Sequence, residues 1–284
     1  MKIAVLIPSR GHPQGLIATV MALINLAETP DNIHFCIRID DDDDATARAI
    51  DGLQDHSNNI QVIAGGRPVG MGTEYNRLAA LVPDATAFCL MNDSVFLAPI
   101  VIGRDGMPSF SFWDSAIAAS IARHGNDQVF SWFMSGVPRG MGFDLPVFTA
   151  RWVAAAGRLF PEHFPFWFID MWAFSVAFLV HDRPPMVLRN LMCYAPHGVS
   201  QRCRDVEFWC RVYEATHRER LDEAARIRAN LGKPTEISAA ALYGVRMAEQ
   251  GNINNLMKLA ATLGDPAPPD AAYIAARERA AELV

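Results

Sequence analysis

Residues 34–44 read HFCIRIDDDDD, and this stretch decides the fold: a run typical of a buried strand leads directly into five consecutive aspartates. The chain repeats this arrangement at residues 87–91 (AFCLM), which are followed by Asn92-Asp93-Ser94. Open α/β sheets bind ligands at the carboxyl ends of their parallel strands. We therefore expect both acidic clusters to lie on one edge of a single sheet, around a crevice for a metal ion and a phosphorylated ligand.

The rest of the chain supports a sheet of this kind. Strand-like runs alternate with helix-like segments, which predicts parallel βαβ units. The predicted fold is α/β, with a doubly wound, mostly parallel sheet flanked by helices. From residue 204 the pattern becomes charged and helical, so we predict a domain of residues 1–203 and a helical C-terminal extension of residues 204–284. The first four predicted strands are residues 2–7, 33–39, 59–64 and 87–91.

Composition and hydrophobic pattern exclude some classes of protein. A net charge of -6 is unlike the basic balance of a nucleic-acid binder. The apolar run at residues 3–7 is shorter than the hydrophobic region of a signal peptide. Residues 166–180 are the most hydrophobic segment, but they are few for a bilayer span and include Asp170. We therefore expect a soluble, cytoplasmic protein with no membrane span and no nucleic-acid partner.

Both acidic clusters also have a structural interpretation. Aspartates before a helix accept hydrogen bonds from its first amides, and Asn, Asp and Ser favour turns. Capping explains one or two of the five aspartates, but adjacent like charges repel each other. We favour a ligand or metal role for at least one of them. Asp93 offers the carboxylate oxygen that Mg²⁺ and Mn²⁺ prefer.

The order of these features resembles the nucleotide-sugar half of a GT-A fold glycosyltransferase, family 2 in particular. The resemblance covers about residues 1 to 200. It rests on the order of the elements more than on any single motif. The matching motifs, in chain order, are Pro8-Ser9-Arg10, the aspartate run, Gly70-x-Gly72-x-x-x-Asn76 and Asn92-Asp93-Ser94.

The resemblance implies a nucleotide-diphospho-sugar donor and a divalent cation, Mn²⁺ or Mg²⁺. Asp93 corresponds to the metal ligand at the diphosphate, and His197 to a further metal ligand downstream. The family usually has two acids where this chain has Asn92-Asp93-Ser94. The residues expected around the nucleotide are Pro8, Ser9, Arg10, Asp40, Asp41, Asp42, Gly70, Met71, Asn76 and Asn92.

The second half of such an enzyme holds the acceptor and the base. Asp170 lies among large apolar residues, in the segment Trp167-Phe168-Ile169-Asp170-Met171-Trp172, and such surroundings raise a carboxylate pKa. The resemblance makes Asp170 the candidate catalytic base, with Glu162 as the second candidate, in an inverting transfer of a sugar to an acceptor hydroxyl. A buried carboxylate paired with an arginine is the alternative interpretation of Asp170.

Two other functions remain open. A catalytically degenerate relative would bind a nucleotide or a glycan without turnover, and Ser94, in place of a second acid, keeps this alternative open. A sugar nucleotidyltransferase usually has a glycine-rich basic loop after its first strand, but residues 9–13 are short and hold one glycine. We expect the C-terminal helices to pack on the sheet domain or to form a homo-oligomer. The sequence does not identify the acceptor.

Overall fold

The computed structural model describes residues 1–54, 59–66, 70–93, 95–98, 100–102, 108–110, 112–135, 144–164, 168–194, 205–261, 269 and 271–284. The strands are β1 (Ile3–Pro8), β2 (Ile33–Asp40), β3 (Ile60–Gly65), β4 (Ala87–Leu90), β5 (Phe96–Ala98), β6 (Ile100–Ile102), β7 (Pro108–Phe110), β8 (Val129–Ser135), β9 (Asp144–Thr149) and β10 (Met186–Tyr194). The helices are α1 (Pro13–Asn25), α2 (Asp44–Gln54), α3 (Met71–Ala79), α4 (Trp113–His124), α5 (Ala150–Ala156), α6 (Ile169–His181), α7 (Val206–Ala215), α8 (His217–Asn230), α9 (Ala239–Ala260) and α10 (Ala271–Ala281).

The main sheet is mixed, with the strand order β3-β2-β1-β4-β9-β8-β10-β5. Strands β1 to β4 pair in parallel, as the sequence predicts, and their observed ends differ from the predicted ends by one residue or none. Strand β9 runs antiparallel to both of its neighbours, and β5 runs antiparallel to β10. The order 3-2-1-4 places the carboxyl ends of β1, β2 and β4 side by side on one edge.

Strands β1, β2 and β4 are buried on both faces of the sheet, which explains why they are mostly apolar, whereas the edge strand β3 is partly exposed. Along β1, Val5 and Ile7 pack into a core with helices α1, α2 and α4, whereas Ala4 and Leu6 face the opposite core. This alternation is the period of two expected of a strand. The core that contains Ala4 and Leu6, called the second core below, continues from α3 and α5 through α6 into the C-terminal helices.

The C-terminal helices pack on the sheet domain. Helix α8 contacts α5 and α6, and α9 contacts α6 and α7. The sequence pattern predicts one helix up to residue 231, but the structure divides it at Thr216. The buried hydroxyl of Thr216 donates back to the carbonyl groups of Val212 and Tyr213, and this competes with continuation of the helix. The predicted domain boundary at residues 203–204 lies outside the described residues.

None of the helices in the described residues is long and apolar enough to cross a lipid bilayer. The hydrophobic segment that ends at Val180 instead forms α6, whose residues from Ser175 to Val180 are all buried in the second core.

Candidate functional site

The turn after β1 connects the two acidic clusters. Ser9 Oγ donates a hydrogen bond to Asp93 Oδ2 at 2.8 Å, and Asp93 follows β4. The backbone amide of Ser9 donates to the carbonyl oxygen of Arg38 in β2, at 2.8 Å. The next residue, Arg10, forms an ion pair with Asp40 at the end of β2. The predicted convergence of the two clusters on one edge of the sheet is therefore present.

Arg10 also forms a fork-shaped pair with Asp42. Its Nη1 and Nη2 atoms lie 2.9 and 3.1 Å from the two carboxylate oxygens of Asp42. The hydrogen bonds from Arg10 hold the pKa of the Asp42 carboxyl below its ordinary value. Asp42 therefore stays ionised at neutral pH, and the side chain of Arg10 lies across the acidic edge.

The five aspartates divide into distinct environments. Asp40 is buried, whereas Asp41, Asp42 and Asp44 are exposed. Asp43 caps α2, because its carboxylate accepts hydrogen bonds from the amide and hydroxyl of Thr46 at 3.1 and 2.7 Å. Burial raises the pKa of Asp43, but these bonds and one from the Gly11 amide outweigh it and hold the pKa below its ordinary value. The capping interpretation is thus correct for Asp43, and Asp41 and Asp42 remain accessible to a ligand.

Arg38 is a functional candidate that the sequence prediction missed. It lies in β2 two residues before Asp40, is 3% exposed, and forms an ion pair with that carboxylate. Its Nε lies 3.2 Å from Glu74 Oε2, and its Nη2 donates to the carbonyl oxygen of Gly65 at 3.1 Å. Arg38 therefore fixes Asp40, α3 and the end of β3 relative to one another. The sequence feature that could have identified Arg38 is a single arginine near the end of a mostly apolar strand.

Helix α3 joins the edge of the sheet to the second half of the chain. Tyr75 Oη donates to Asn92 Oδ1 at 3.4 Å, beside the Asp93 turn. Burial and then the Asp93 carboxylate raise the pKa of the Tyr75 hydroxyl, so it remains a neutral donor. Gly70 precedes the helix and is buried, and the adjacent Met71 is partly buried.

Asn76 connects α3 to the chain after α5. Its side chain accepts from the amides of Leu159 and Phe160 at 2.8 and 3.2 Å, and donates to the carbonyl oxygen of Phe160 at 2.9 Å. Gly72 lies against the same segment, since an added Cβ would be only 2.6 Å from the carbonyl oxygen of Pro161. In the structure the polar atoms of Asn76 bond this backbone, whereas the sequence predicts Asn76 at the nucleotide.

Asp170 lies in the first turn of α6. Its Oδ1 accepts a hydrogen bond from the Met171 amide at 2.8 Å. Burial raises the pKa of the Asp170 carboxyl to about 6, although backbone amides partly oppose the shift. Phe168, two residues earlier, has a φ of 71°, in the left-handed region that non-glycine residues rarely adopt. Glu162, the second base candidate, is exposed.

A carboxylate whose pKa is about 6 is a competent general base near neutral pH, because it is mostly ionised and still basic enough to take a proton. Among the described residues, the Asp170 carboxylate accepts from the Met171 amide and pairs with no arginine, so the alternative of a buried ion pair finds no support there. The rise in the pKa of Asp170 is the result expected of its apolar neighbours.

Of the two predicted metal ligands, the structure describes only Asp93. Asp93 is partly buried and offers carboxylate oxygen, which suits Mg²⁺ or Mn²⁺. His197 and Ser94 lie outside the described residues. Within the described residues, no three His, Cys, Asp or Glu side chains cluster closely enough to hold a metal ion. A metal role for Asp93 stays a prediction.

Comparison with known proteins gave likenesses in structure. No family model and no curated protein matches the chain. The structure is similar to S. aureus TarS 1-349 in complex with UDP-GlcNAc, with a TM-score of 0.54 and 13% identity, over 99% of this chain and 91% of that chain. It is also similar to the mannosyltransferase PcManGT from Pyrobaculum calidifontis in complex with GDP-Man and Mn²⁺, with a TM-score of 0.50 and 11% identity, over 100% of this chain and 81% of that chain.

These likenesses concern the fold. They span nearly the whole chain, including its C-terminal helices, and they confirm the predicted α/β architecture of the GT-A type. Because the sequence identities are so low, the roles of individual residues depend on the geometry of this chain.

Proposed function

We propose that this protein is a glycosyltransferase, which moves a sugar from a nucleotide-diphosphate donor to an acceptor hydroxyl. The observation that carries the proposal is the pair of contacts made by adjacent residues of one turn: Ser9 with Asp93, and Arg10 with Asp40 and Asp42. These contacts bring the Asp93 carboxylate and the acidic cluster after β2 together at the carboxyl ends of neighbouring parallel strands, where open α/β sheets take their ligands. This arrangement supports a metal role for Asp93 and a nucleotide role for the acidic cluster.

The donor would lie along this edge. Asp41 and Asp42 are exposed there and would accept hydrogen bonds from the base or ribose of the nucleotide. Arg10 would remain paired with Asp42 or turn to the diphosphate, since a guanidinium matches both groups. Pro8 and Ser9 would form the floor of the nucleotide site. Asp40 is buried and forms ion pairs with Arg10 and Arg38, so it would support the nucleotide site by holding these two arginines in place.

Asp93 would hold Mn²⁺ or Mg²⁺, together with His197 and the donor's own phosphate oxygens. Bound there, the cation would offset the negative charge that develops on the leaving diphosphate. The hydrogen bond from Ser9 would orient the Asp93 carboxylate, and Asn92, which is exposed beside it, would face the same ligand. The Tyr75 hydroxyl would hold Asn92 in place.

Asp170 would act as the general base. In a single displacement, the acceptor oxygen forms a bond to the anomeric carbon, the bond from that carbon to the diphosphate breaks, and the acceptor proton passes to Asp170. One displacement inverts the configuration at the anomeric carbon. Glu162, which is exposed, is the second candidate for this role.

A screen of nucleotide sugars tests this proposal. Purified protein would be incubated with UDP- and GDP-linked sugars in the presence of Mn²⁺, and released nucleoside diphosphate would be measured with and without simple sugar and polyol acceptors. Release that depends on the wild-type protein and falls in Asp170→Asn supports the transferase. The absence of release from every donor, in protein that is folded, would contradict it.

A binding protein without turnover is the second candidate, and Asn92-Asp93 favours it, because one acid stands where the family usually has two. Such a protein would bind a nucleoside diphosphate as tightly without Mn²⁺ as with it, and would release no product. Location in the cytoplasm and assembly through the C-terminal helices remain predictions, which fractionation and light scattering would test.

A further inference from the structure

A buried tyrosine of the C-terminal helices contacts both sides of the turn that presents Asp170. Tyr213, in α7, is 0% exposed. Its ring stacks on Phe168, with centroids 5.0 Å apart and planes inclined by 25°. Its hydroxyl oxygen lies 3.3 Å from the carbonyl oxygen of Met171. Phe168 precedes Asp170 by two residues and Met171 follows it, so one side chain braces both ends of the turn.

This turn needs support. The left-handed backbone of Phe168 costs free energy and persists only where the surroundings hold it. The Met171 amide is the group that donates to the Asp170 carboxylate, so the position of Met171 also sets the position of that hydrogen bond. Contacts that fix Phe168 and Met171 therefore fix the direction of the Asp170 carboxylate.

Tyr213 is in turn held by charged groups from α8 and α9. The guanidinium carbon of Arg220 lies 3.7 Å from the centre of the Tyr213 ring, and Arg220 Nη1 donates to the backbone carbonyl of Tyr213 at 2.6 Å. Glu249 Oε1 lies 3.0 Å from the Tyr213 hydroxyl and 3.1 Å from Arg220 Nε. Ser175 Oγ, on α6, lies 2.7 Å from the same hydroxyl.

This buried ionic network is costly to form. Removing an Arg–Glu pair from water carries a desolvation penalty that a well-packed apolar cluster would avoid. The network nevertheless fixes one rotamer of one ring, and that ring touches the two neighbours of the candidate base. A role in precise placement accounts for the location of the pair better than a role in stability alone.

We propose that Tyr213 is a positioning residue for Asp170, so that the C-terminal helices complete the acceptor side of the site. This inference rests on the proposed function. It assigns to α7, α8 and α9 a role in catalysis through contact with the first turn of α6. In the described part of the chain, the hydroxyl of Tyr213 bonds residues of α6 and α9, so we expect donor binding at Ser9, Arg10 and Asp93 to be independent of it.

The variant Tyr213→Phe removes the hydroxyl and keeps the ring. Tyr273→Phe is a matched control, since Tyr273 is also buried and its hydroxyl bonds Trp209 and Asp205 at the start of α7. We expect Tyr213→Phe to lower kcat by about 10-fold to 100-fold, in line with the cost of a misplaced catalytic group. The KM for the donor should stay within twofold of the wild-type value, and Tyr273→Phe should leave both values unchanged.

The pH profile separates placement from general loosening of the fold. A looser turn admits water to Asp170, so the acid limb of kcat should move toward lower pH by about half a unit or more in Tyr213→Phe, and should not move in Tyr273→Phe. If the two variants give the same kcat and the same acid limb, the proposal is wrong. If Tyr213→Phe does not fold, Phe168→Leu, which removes the stacked ring, must show the same shift for the proposal to stand.

A readout without turnover distinguishes this proposal from the proposed function. The pKa of Asp170 can be obtained from the pH dependence of unfolding, as the difference between each protein and its Asp170→Asn derivative. A pKa lower in Tyr213→Phe than in the wild type supports positioning even if no donor is turned over. An unchanged pKa overturns the proposal even in an active transferase.

Discussion

The hydroxyl of Ser9 donates to the carboxylate of Asp93 across 2.8 Å, and so links the ends of two neighbouring parallel strands. The two residues are 84 positions apart in the chain. Both follow the last residues of strands whose registers are aligned from Ile3 opposite Ala87 to Leu6 opposite Leu90. The parallel pairing of β1 and β4 therefore places the Asp93 carboxylate, the proposed metal ligand, beside the turn that reaches the acidic cluster of β2.

Replacement of Asp93 should abolish transfer while leaving the fold intact. We expect Asp93→Asn to lower kcat by about 100-fold or more, because the lost charge contributes to stabilisation of the leaving group. Steady-state release of nucleoside diphosphate measures the effect. Asp84→Asn is the control, since Asp84 is exposed and pairs with Lys2 near the opposite end of β4. Equal activities in the two variants would argue against a role for Asp93.

Asp170→Asn should inactivate the protein and stabilise it near neutral pH. The folded protein raises the pKa of Asp170 to about 6 from an ordinary value of 3.8, so the native state binds more protons than the unfolded state between these values. The ionised Asp170 consequently lowers the free energy of unfolding, and this loss develops as the pH rises from about 4 to 6. At pH 7 we expect the asparagine variant to be more stable by about 1 to 3 kcal/mol, and below pH 4 by nothing.

Urea denaturation of the wild type and Asp170→Asn at pH 3.5, 5 and 7 measures this difference. The activity of the wild type should rise with pH through an acid limb near 6, because only the ionised carboxylate accepts the proton. A difference in stability that is constant across the pH range would mean that Asp170 has an ordinary pKa.

Asn76→Ala should destabilise the fold through the segment after α5. The side chain makes three hydrogen bonds to the backbone of Leu159 and Phe160, and its loss leaves these backbone groups without those partners. We expect the free energy of unfolding to fall by about 2 to 3 kcal/mol in urea denaturation. Asn254→Ala, on the exposed face of α9, should change it by less than about 0.5 kcal/mol. Equal losses would show that the Asn76 contacts contribute nothing specific.

Arg38→Met should be among the most destabilising single substitutions near the site. It leaves the buried carboxylates of Asp40 and Glu74 without their shared cation, which we expect to cost about 3 to 5 kcal/mol. Arg77→Met is a matched control, because Arg77 also pairs with Glu74 but its side chain is 61% exposed. It should cost less than about 1 kcal/mol. Similar unfolding midpoints for the two variants would refute the role given to Arg38.

Much of the donor side could be predicted from the sequence, because short parallel strands that end in polar residues impose a common edge. The apolar runs of β2 and β4 predicted the two strands, and the polar residues at or just after their ends, Asp40 and Asn92, predicted the shared edge. Asp43 and Asp42 have the same side chain and adjacent positions, yet one caps a helix and the other pairs with Arg10. Only the course of the backbone separates these two roles.

The acceptor side depended on tertiary contacts that no local pattern encodes. The pattern at Asn76 suggested a nucleotide contact, but its partners lie more than eighty residues away. Tyr213 gave no signal, since it is one aromatic residue of an amphipathic helix. Its relation to Phe168 and Met171 arises from the packing of α7 on α6. The pKa of Asp170 was the exception, because its apolar neighbours are local in the sequence.

The central claim is that Asp93 and the acidic cluster at the end of β2 bind one nucleotide. Its most direct test is calorimetric titration of UDP and GDP, with and without Mn²⁺, into the wild type, Asp93→Asn and Asp41→Asn. Asp93 should act on the diphosphate through the cation, and Asp41 on the base or ribose. We predict that Mn²⁺ strengthens binding to the wild type but not to Asp93→Asn, and that Asp41→Asn weakens binding in both conditions. Nucleotide binding that is the same in all three proteins would contradict the account.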